Sequence, residues 1–184
     1  MVRSLVCVAA LAAAAGVAQA DVTINFTNIT FTGFNFGQLV VPPNYVSGTL
    51  TSVSVNAILS ASVSDTYADD LTIYVDPLPL NGGGLLQVGG FSNLGAAERG
   101  LWDNGGSAAP GTTVIDSYTL VTPLSFVGGP SDPMIWLGNG YGASGTSGTW
   151  SGSVTLVGIN VVPAPGAAAL LGVGSLVALR RRRK

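Results

Sequence analysis

Alternation of apolar and polar residues at period two dominates the middle of the chain. Over residues 53–64 the odd positions are Val53, Val55, Ala57, Leu59, Ala61 and Val63. The even positions are Ser54, Asn56, Ile58, Ser60, Ser62 and Ser64, polar apart from Ile58. Successive side chains of a strand point to opposite faces, so this pattern predicts an antiparallel strand or strand pair with one dry and one wet face. Leu71, Ile73 and Val75 alternate with Thr72, Tyr74 and Asp76 in the same way. Further strands are predicted at 22–26, 29–34, 85–88, 112–121, 134–137 and 149–161.

Turn chemistry fills the breaks. Pro42-Pro43-Asn44, Asp76-Pro77, Asn81-Gly82, Asn104-Gly105, Pro110-Gly111, Gly128-Gly129-Pro130 and Asn139-Gly140 supply fixed or positive φ. Short strands punctuated in this way predict an all-β fold, an antiparallel jelly-roll-like β-sandwich. Residues 89–111 form the longest stretch without a strand pattern and read as a surface loop region.

The two ends depart from this pattern. After Arg3 an apolar run covers residues 5–17 and closes on Ala18-Gln19-Ala20 before Asp21. A positive start, a short apolar core and a small-x-small exit predict a secretory signal peptide over 1–20, cut after Ala20 by signal peptidase. At the other end stand Pro163-Ala164-Pro165, an apolar stretch over 166–179, and then Arg180, Arg181, Arg182, Arg183 and Lys184. The prolines stop a helix from extending upstream. The apolar stretch predicts a short transmembrane helix, and the five cations hold its end on the cytoplasmic side. Residues 21–162 remain as one β-sandwich domain, long enough to bury a core of its own.

Charge changes the picture once the ends are set apart. The whole chain has a formal net charge of −2. Within residues 21–162, Arg99 is the only Lys or Arg against nine Asp and Glu, a net charge of about −8. Such a domain repels phosphate backbones, which excludes nucleic acid as a partner, and favours cations, calcium among them in an extracellular setting. The single cysteine, Cys7, lies in the signal segment, and the chain has no histidine. Ser-His-Asp and cysteine nucleophiles are thereby excluded, and a lysine base fails because Lys184 lies in the tail.

Carboxylates and aromatic residues are the remaining chemistry. Asp65, Asp69 and Asp70 cluster before a predicted strand. They either build the turn through their own hydrogen bonds or, with backbone carbonyls, hold a structural calcium ion. Adjacent Asp69 and Asp70 would point to opposite faces on a strand, which disfavours a glycosidase pair, and no catalytic residue is assigned. Trp136, between Ile135 and Leu137, is predicted in the core. Trp102 and Tyr141 lie among glycines in predicted loops and are the candidate glycan-binding residues.

The tail, with its Pro-x-Pro motif, short apolar helix and terminal arginine cluster, resembles the PEP-CTERM sorting signal of Gram-negative and related bacteria. The usual Pro-Glu-Pro is here Pro163-Ala164-Pro165, similar to the variant of planctomycete-type bacteria. The resemblance implies recognition by an exosortase, a membrane transpeptidase that removes the tail, after transient anchoring in the inner membrane. A second likeness is local. Asp65-Thr66-Tyr67-Ala68-Asp69-Asp70-Leu71 resembles the His-Thr-Tyr-x-Gly-Asp-Leu opening of the proprotein-convertase P domain, and Gly148-Thr149-Trp150 resembles its late Gly-x-Trp. It implies a jelly-roll sandwich and carries no protease activity with it. The resulting expectation is an exported, non-enzymatic cell-surface or extracellular-matrix protein without a cofactor other than that candidate calcium. It is passed from the secretion machinery to an exosortase. The alternative is a secreted carbohydrate-binding module that attaches to matrix polysaccharide.

Overall fold

The computed structural model describes residues 21–41, 44–78 and 82–163. The expected signal segment with Ala18 and Ala20 lies outside them, as do Ala164, Pro165, the apolar stretch 166–179 and the basic end from Arg180. Among the described residues no helix is long and apolar enough to cross a membrane.

The described residues are all-β. The strands are β1 (Val22–Thr32), β2 (Phe36–Gln38), β3 (Asn44–Val63), β4 (Leu71–Asp76), β5 (Leu86–Val88), β6 (Glu98–Gly100), β7 (Thr113–Val127), β8 (Met134–Asn139) and β9 (Ser147–Pro163). A single 3-10 turn, Ala68–Asp70, leads into β4. The strands make two sheets, ordered β1-β9-β3-β7 and β2-β8-β4-β5-β6, which form a β-sandwich. Pairing is nested: β1 joins β9, β2 joins β8, β3 joins β7 and β4 joins β5, all antiparallel. β6 adds to β5 in parallel at the sheet edge.

The core lies between the sheets. Leu50, Val53, Val55, Ala57 and Leu59 of β3, Val154, Leu156 and Ile159 of β9, and Leu71, Ile73 and Val75 of β4 are all buried in it. Each fully buried Leu, Ile or Val contributes about 1.5–3 kcal/mol of transfer free energy. Trp150 is fully buried, and its Nε1 donates to the Ala68 carbonyl at 3.1 Å, tying the four-stranded sheet to the turn before β4.

Several expectations change. The two strands predicted at 22–26 and 29–34 are one, β1, with a bulge between Phe26 and Ile29. Asn28 takes φ +51° there and donates its amide to Ser151 Oγ at 2.8 Å. The alternation in β3 stops at Leu59, because a register shift against β9 between Leu59 and Ala61 inserts Ser60. Beyond it Val63 is 53% exposed although it continues the apolar set. β4 was predicted with a wet face, yet all six of its residues are buried. Its outer face is covered by the chain around Gly84, Gly90, Leu94 and Gly140. Residues 89–111 are not wholly loop, since they contain β6. Trp136 is only half-buried: Ile135 and Leu137 take the inner face, and its Nε1 donates to the Asp76 carbonyl at 2.8 Å.

Candidate functional site

The turn between β3 and β4 organises one region of the surface. Ser64 and Asp65 adopt φ +54° and +57°. Left-handed backbone is tolerated best by short polar residues, which explains a Ser-Asp pair where the chain reverses. Thr66 is buried and donates its hydroxyl to the Val63 carbonyl at 3.1 Å, while its own carbonyl accepts from Ser62 Oγ at 2.7 Å.

Asp70 is the hub. One carboxylate oxygen accepts the Tyr67 amide at 2.8 Å and the other accepts the Phe91 amide at 3.1 Å. Its carbonyl accepts the Thr72 hydroxyl at 2.9 Å and the Gly140 amide at 2.8 Å. The neighbouring Asp69 carbonyl accepts the Gly90 amide at 2.9 Å. These two residues thus fasten the segments at 90–91 and 140 onto the start of β4. Burial pushes the Asp70 carboxyl up to about 6, against the pull of the Tyr67 and Phe91 amides; the charge of Asp69 adds slightly to the rise. Burial also raises Asp69, opposed by a hydrogen bond from a backbone amide.

Two clefts adjoin at this turn. The first, about 240 Å³, is lined by Asp65, Tyr67, Asp70, Phe91 and Tyr141. The second, about 360 Å³, shares Tyr67, Asp70 and Phe91 and adds Asp69, Gly90, Arg99, Leu101 and Trp102. Phe91 and Tyr141 meet edge to face, with centroids 5.8 Å apart and planes at 85°. Such an arrangement suits the ring quadrupoles. The Phe91 carbonyl accepts Arg99 Nη2 at 2.9 Å and the Gly90 carbonyl accepts it at 3.2 Å, so the one cation of the domain is spent on backbone. The Tyr141 amide donates to the buried Asn139 Oδ1 at 2.9 Å.

The predicted site residues fare unequally. Tyr141 stands in the wall of the first cleft. Trp102 borders the second cleft but does not present its ring as an open stacking platform: it is 6% exposed, and its Nε1 donates to the Leu71 carbonyl at 2.7 Å. Its indole fills space beside β4 because an apolar ring with one donor fits where a strand-end carbonyl needs a partner. Asp65, Asp69 and Asp70 are not gathered round one point. Asp65 and Asp70 border the first cleft, Asp69 and Asp70 the second, and among the described residues no three acidic, His or Cys side chains converge as a metal would require. Asp70 accepts the Tyr67 amide within the turn. Phe91 and Tyr67 were missed. Phe91 sits in Gly89-Gly90-Phe91-Ser92 and carries the same signal, an aromatic among glycines, that singled out Trp102 and Tyr141.

Of the sorting motif, only Pro163 is among the described residues, as the last residue of β9, paired with Asn44. No protein-family model, curated protein or solved structure matches the chain.

Proposed function

We propose that the chain is an exported bacterial cell-surface or extracellular-matrix protein without catalytic activity, carried through the membrane by its signal peptide and sorted by its PEP-CTERM-type tail. The observation that carries this reading is the pair of chain ends: an apolar run over 5–17 closing on Ala18-Gln19-Ala20, and Pro163-Ala164-Pro165 followed by an apolar stretch and Arg180 to Lys184. β9 stays paired with β3 up to Pro163, the first residue of the Pro-Ala-Pro motif. The acid pair supports a non-catalytic reading, since both oxygens of Asp70 are engaged by backbone amides. We infer further that the sandwich is a jelly roll. Its support is the nested pairing, in which first joins last and second joins last but one, as when one long hairpin is rolled up.

Mass spectrometry of the protein from its own host tests the reading. The expected mature chain begins at Asp21 and lacks residues 166–184. A chain retaining Arg180 to Lys184 sinks the sorting proposal, and one retaining Met1 to Ala20 sinks export by a cleaved signal. A second reading, a carbohydrate-binding module, is favoured by one observation: Phe91 is 76% exposed yet held at both its amide and its carbonyl.

A further inference from the structure

We propose that the first cleft binds an organic cation, the ammonium-bearing sugar unit of a de-acetylated amino-sugar polymer. This rests on the carbohydrate-binding reading and names the ligand class for that site.

The walls come first. Phe91 is exposed to water and Tyr67 is 42% exposed, while Tyr141 closes the cleft at right angles to Phe91. Rings left in water normally reorient or fold down. Here the Phe91 backbone is fixed by Asp70 on one side and Arg99 on the other. The aromatic pair is therefore pre-organised, and a ligand that packs on it loses little ordering entropy. Aromatic faces accept two things well: the C–H face of a saturated sugar ring, and a cation.

Charge selects between them. Asp65 and Asp70 both line this cleft, so its charge is negative. Asp70 is only 4% exposed, so its charge is felt through a medium poorer in water than the surface. A neutral sugar would leave the negative charge of the cleft without a counter-charge, although the Asp70 oxygens have their amide donors, and a uronic acid or phosphate would be repelled. Arg99 does not line this cleft, and its guanidinium donates to the Gly90 and Phe91 carbonyls. An ammonium group on a pyranose satisfies both features, with its ring on Phe91 and Tyr141 and its charge toward Asp65 and Asp70.

Size fits a polymer read unit by unit. At about 240 Å³ the cleft lies below the range of about 300–1,000 Å³ that takes a drug-sized ligand. The adjoining cleft shares Tyr67, Asp70 and Phe91, and so offers a position for a second unit.

Isothermal titration of the full-length chain in detergent micelles, at about 0.15 M salt to screen long-range attraction, tests the proposal with three probes. These are chitosan tetrasaccharide, its fully acetylated chitin counterpart and tetralysine. Chitosan is expected to bind about tenfold or more tightly than either control. Phe91→Ala and Asp65→Asn should each weaken it about fivefold or more, while Asp21→Asn, which lines neither cleft, leaves it unchanged. Matching thermal melts show that the variants are folded. Equal binding of chitosan and chitin overturns the cationic ligand but leaves the carbohydrate reading standing. Tetralysine binding as tightly as chitosan overturns the sugar. Binding of neither saccharide sinks both the inference and the reading beneath it.

Discussion

The outer faces of the two sheets are built from the same alternation and end in opposite environments. On the four-stranded sheet, one row crosses all strands as Thr23, Thr155, Ser54 and Ser117, and the next as Asn25, Ser153, Asn56 and Ile115. These positions are exposed or half-buried, and none is charged. On the five-stranded sheet the equivalent positions Thr72, Tyr74, Asp76 and Gln87 are at most 1% exposed. The chain between β5 and β6, with the turn after β8, lies over Thr72, Tyr74 and Gln87. Gln87 serves that cover directly: its Nε2 donates to the Ser92 carbonyl at 2.8 Å and its Oε1 accepts the Leu94 amide at 2.8 Å. A polar side chain under a loop can supply the hydrogen bonds that irregular backbone lacks. Alternation thus reveals which side chains share a face, and something else decides whether that face meets water.

The contrast is broken most severely at Gly90. Its φ is +79°, and a Cβ there would collide with Thr72 Oγ1 and the Gly140 backbone. Gly90→Ala combines left-handed strain with overpacking, together about 3 kcal/mol. Urea unfolding measures it, and a change below about 1 kcal/mol would mean that the cover is not packed as described.

Titration comes next. Asp70 has a carboxyl raised from 3.8 to about 6, chiefly by burial. The folded state holds this proton more tightly than the unfolded chain, so ionisation opposes folding. Stability is expected to be highest near pH 4, to fall as pH rises to about 6, and to level off above, by an amount on the order of 2 kcal/mol. Burial raises Asp69 and Asp76 in the same direction. Urea midpoints at pH 4.5 and 7 test the sign, and greater stability at pH 7 would refute it. The uncharged rows of the four-stranded sheet have no part in this slope.

How much of this could be read in advance divides along the same line. β9 and the second half of β3 were legible, the latter because the inward set Val53, Val55, Ala57 and Leu59 alternates with a wet outer set, whereas residues 44–52 of β3 were not predicted as strand. β6 was not legible. It has three residues, Glu98 to Gly100, pairs in parallel with a strand equally short, and leaves no periodic trace. Trp102 was placed outside because sequence gives no sign that the Leu71 carbonyl lies within reach of its indole. The carboxylate cluster was legible as a feature and not as a site. The cleft depends on Phe91, brought to Asp70 from 21 positions away by a hydrogen bond that no local pattern encodes.

A smaller effect is expected at the free edge of the four-stranded sheet. Among the described residues β7 pairs with β3 alone. Asn104 covers its far side like a short strand, accepting the Ile115 amide at 2.8 Å and donating to its carbonyl at 2.7 Å, while Glu98 accepts the amides of Val121 and Thr122. Asn104→Ala should cost about 1 kcal/mol and expose backbone able to pair with another chain. Sedimentation velocity should then show concentration-dependent association, and a strictly monomeric variant would mean that the edge needs no such guard.

The smallest change sharpens the contrast from the other side. Thr30 and Thr149 oppose each other on the wet face with hydroxyls 2.8 Å apart, and Thr23 and Thr155 repeat the contact at 2.9 Å. Water competes for both hydroxyls, so the net worth of the bond is small. Thr30→Val keeps the β-branched shape that the strand prefers and deletes only the oxygen. Its stability should stay within about 0.5 kcal/mol of the parent. Were it to cost as much as Gly90→Ala, the hydroxyl rows would be holding the sheet together rather than wetting it. The outer face of the four-stranded sheet would then be as structural as the covered one.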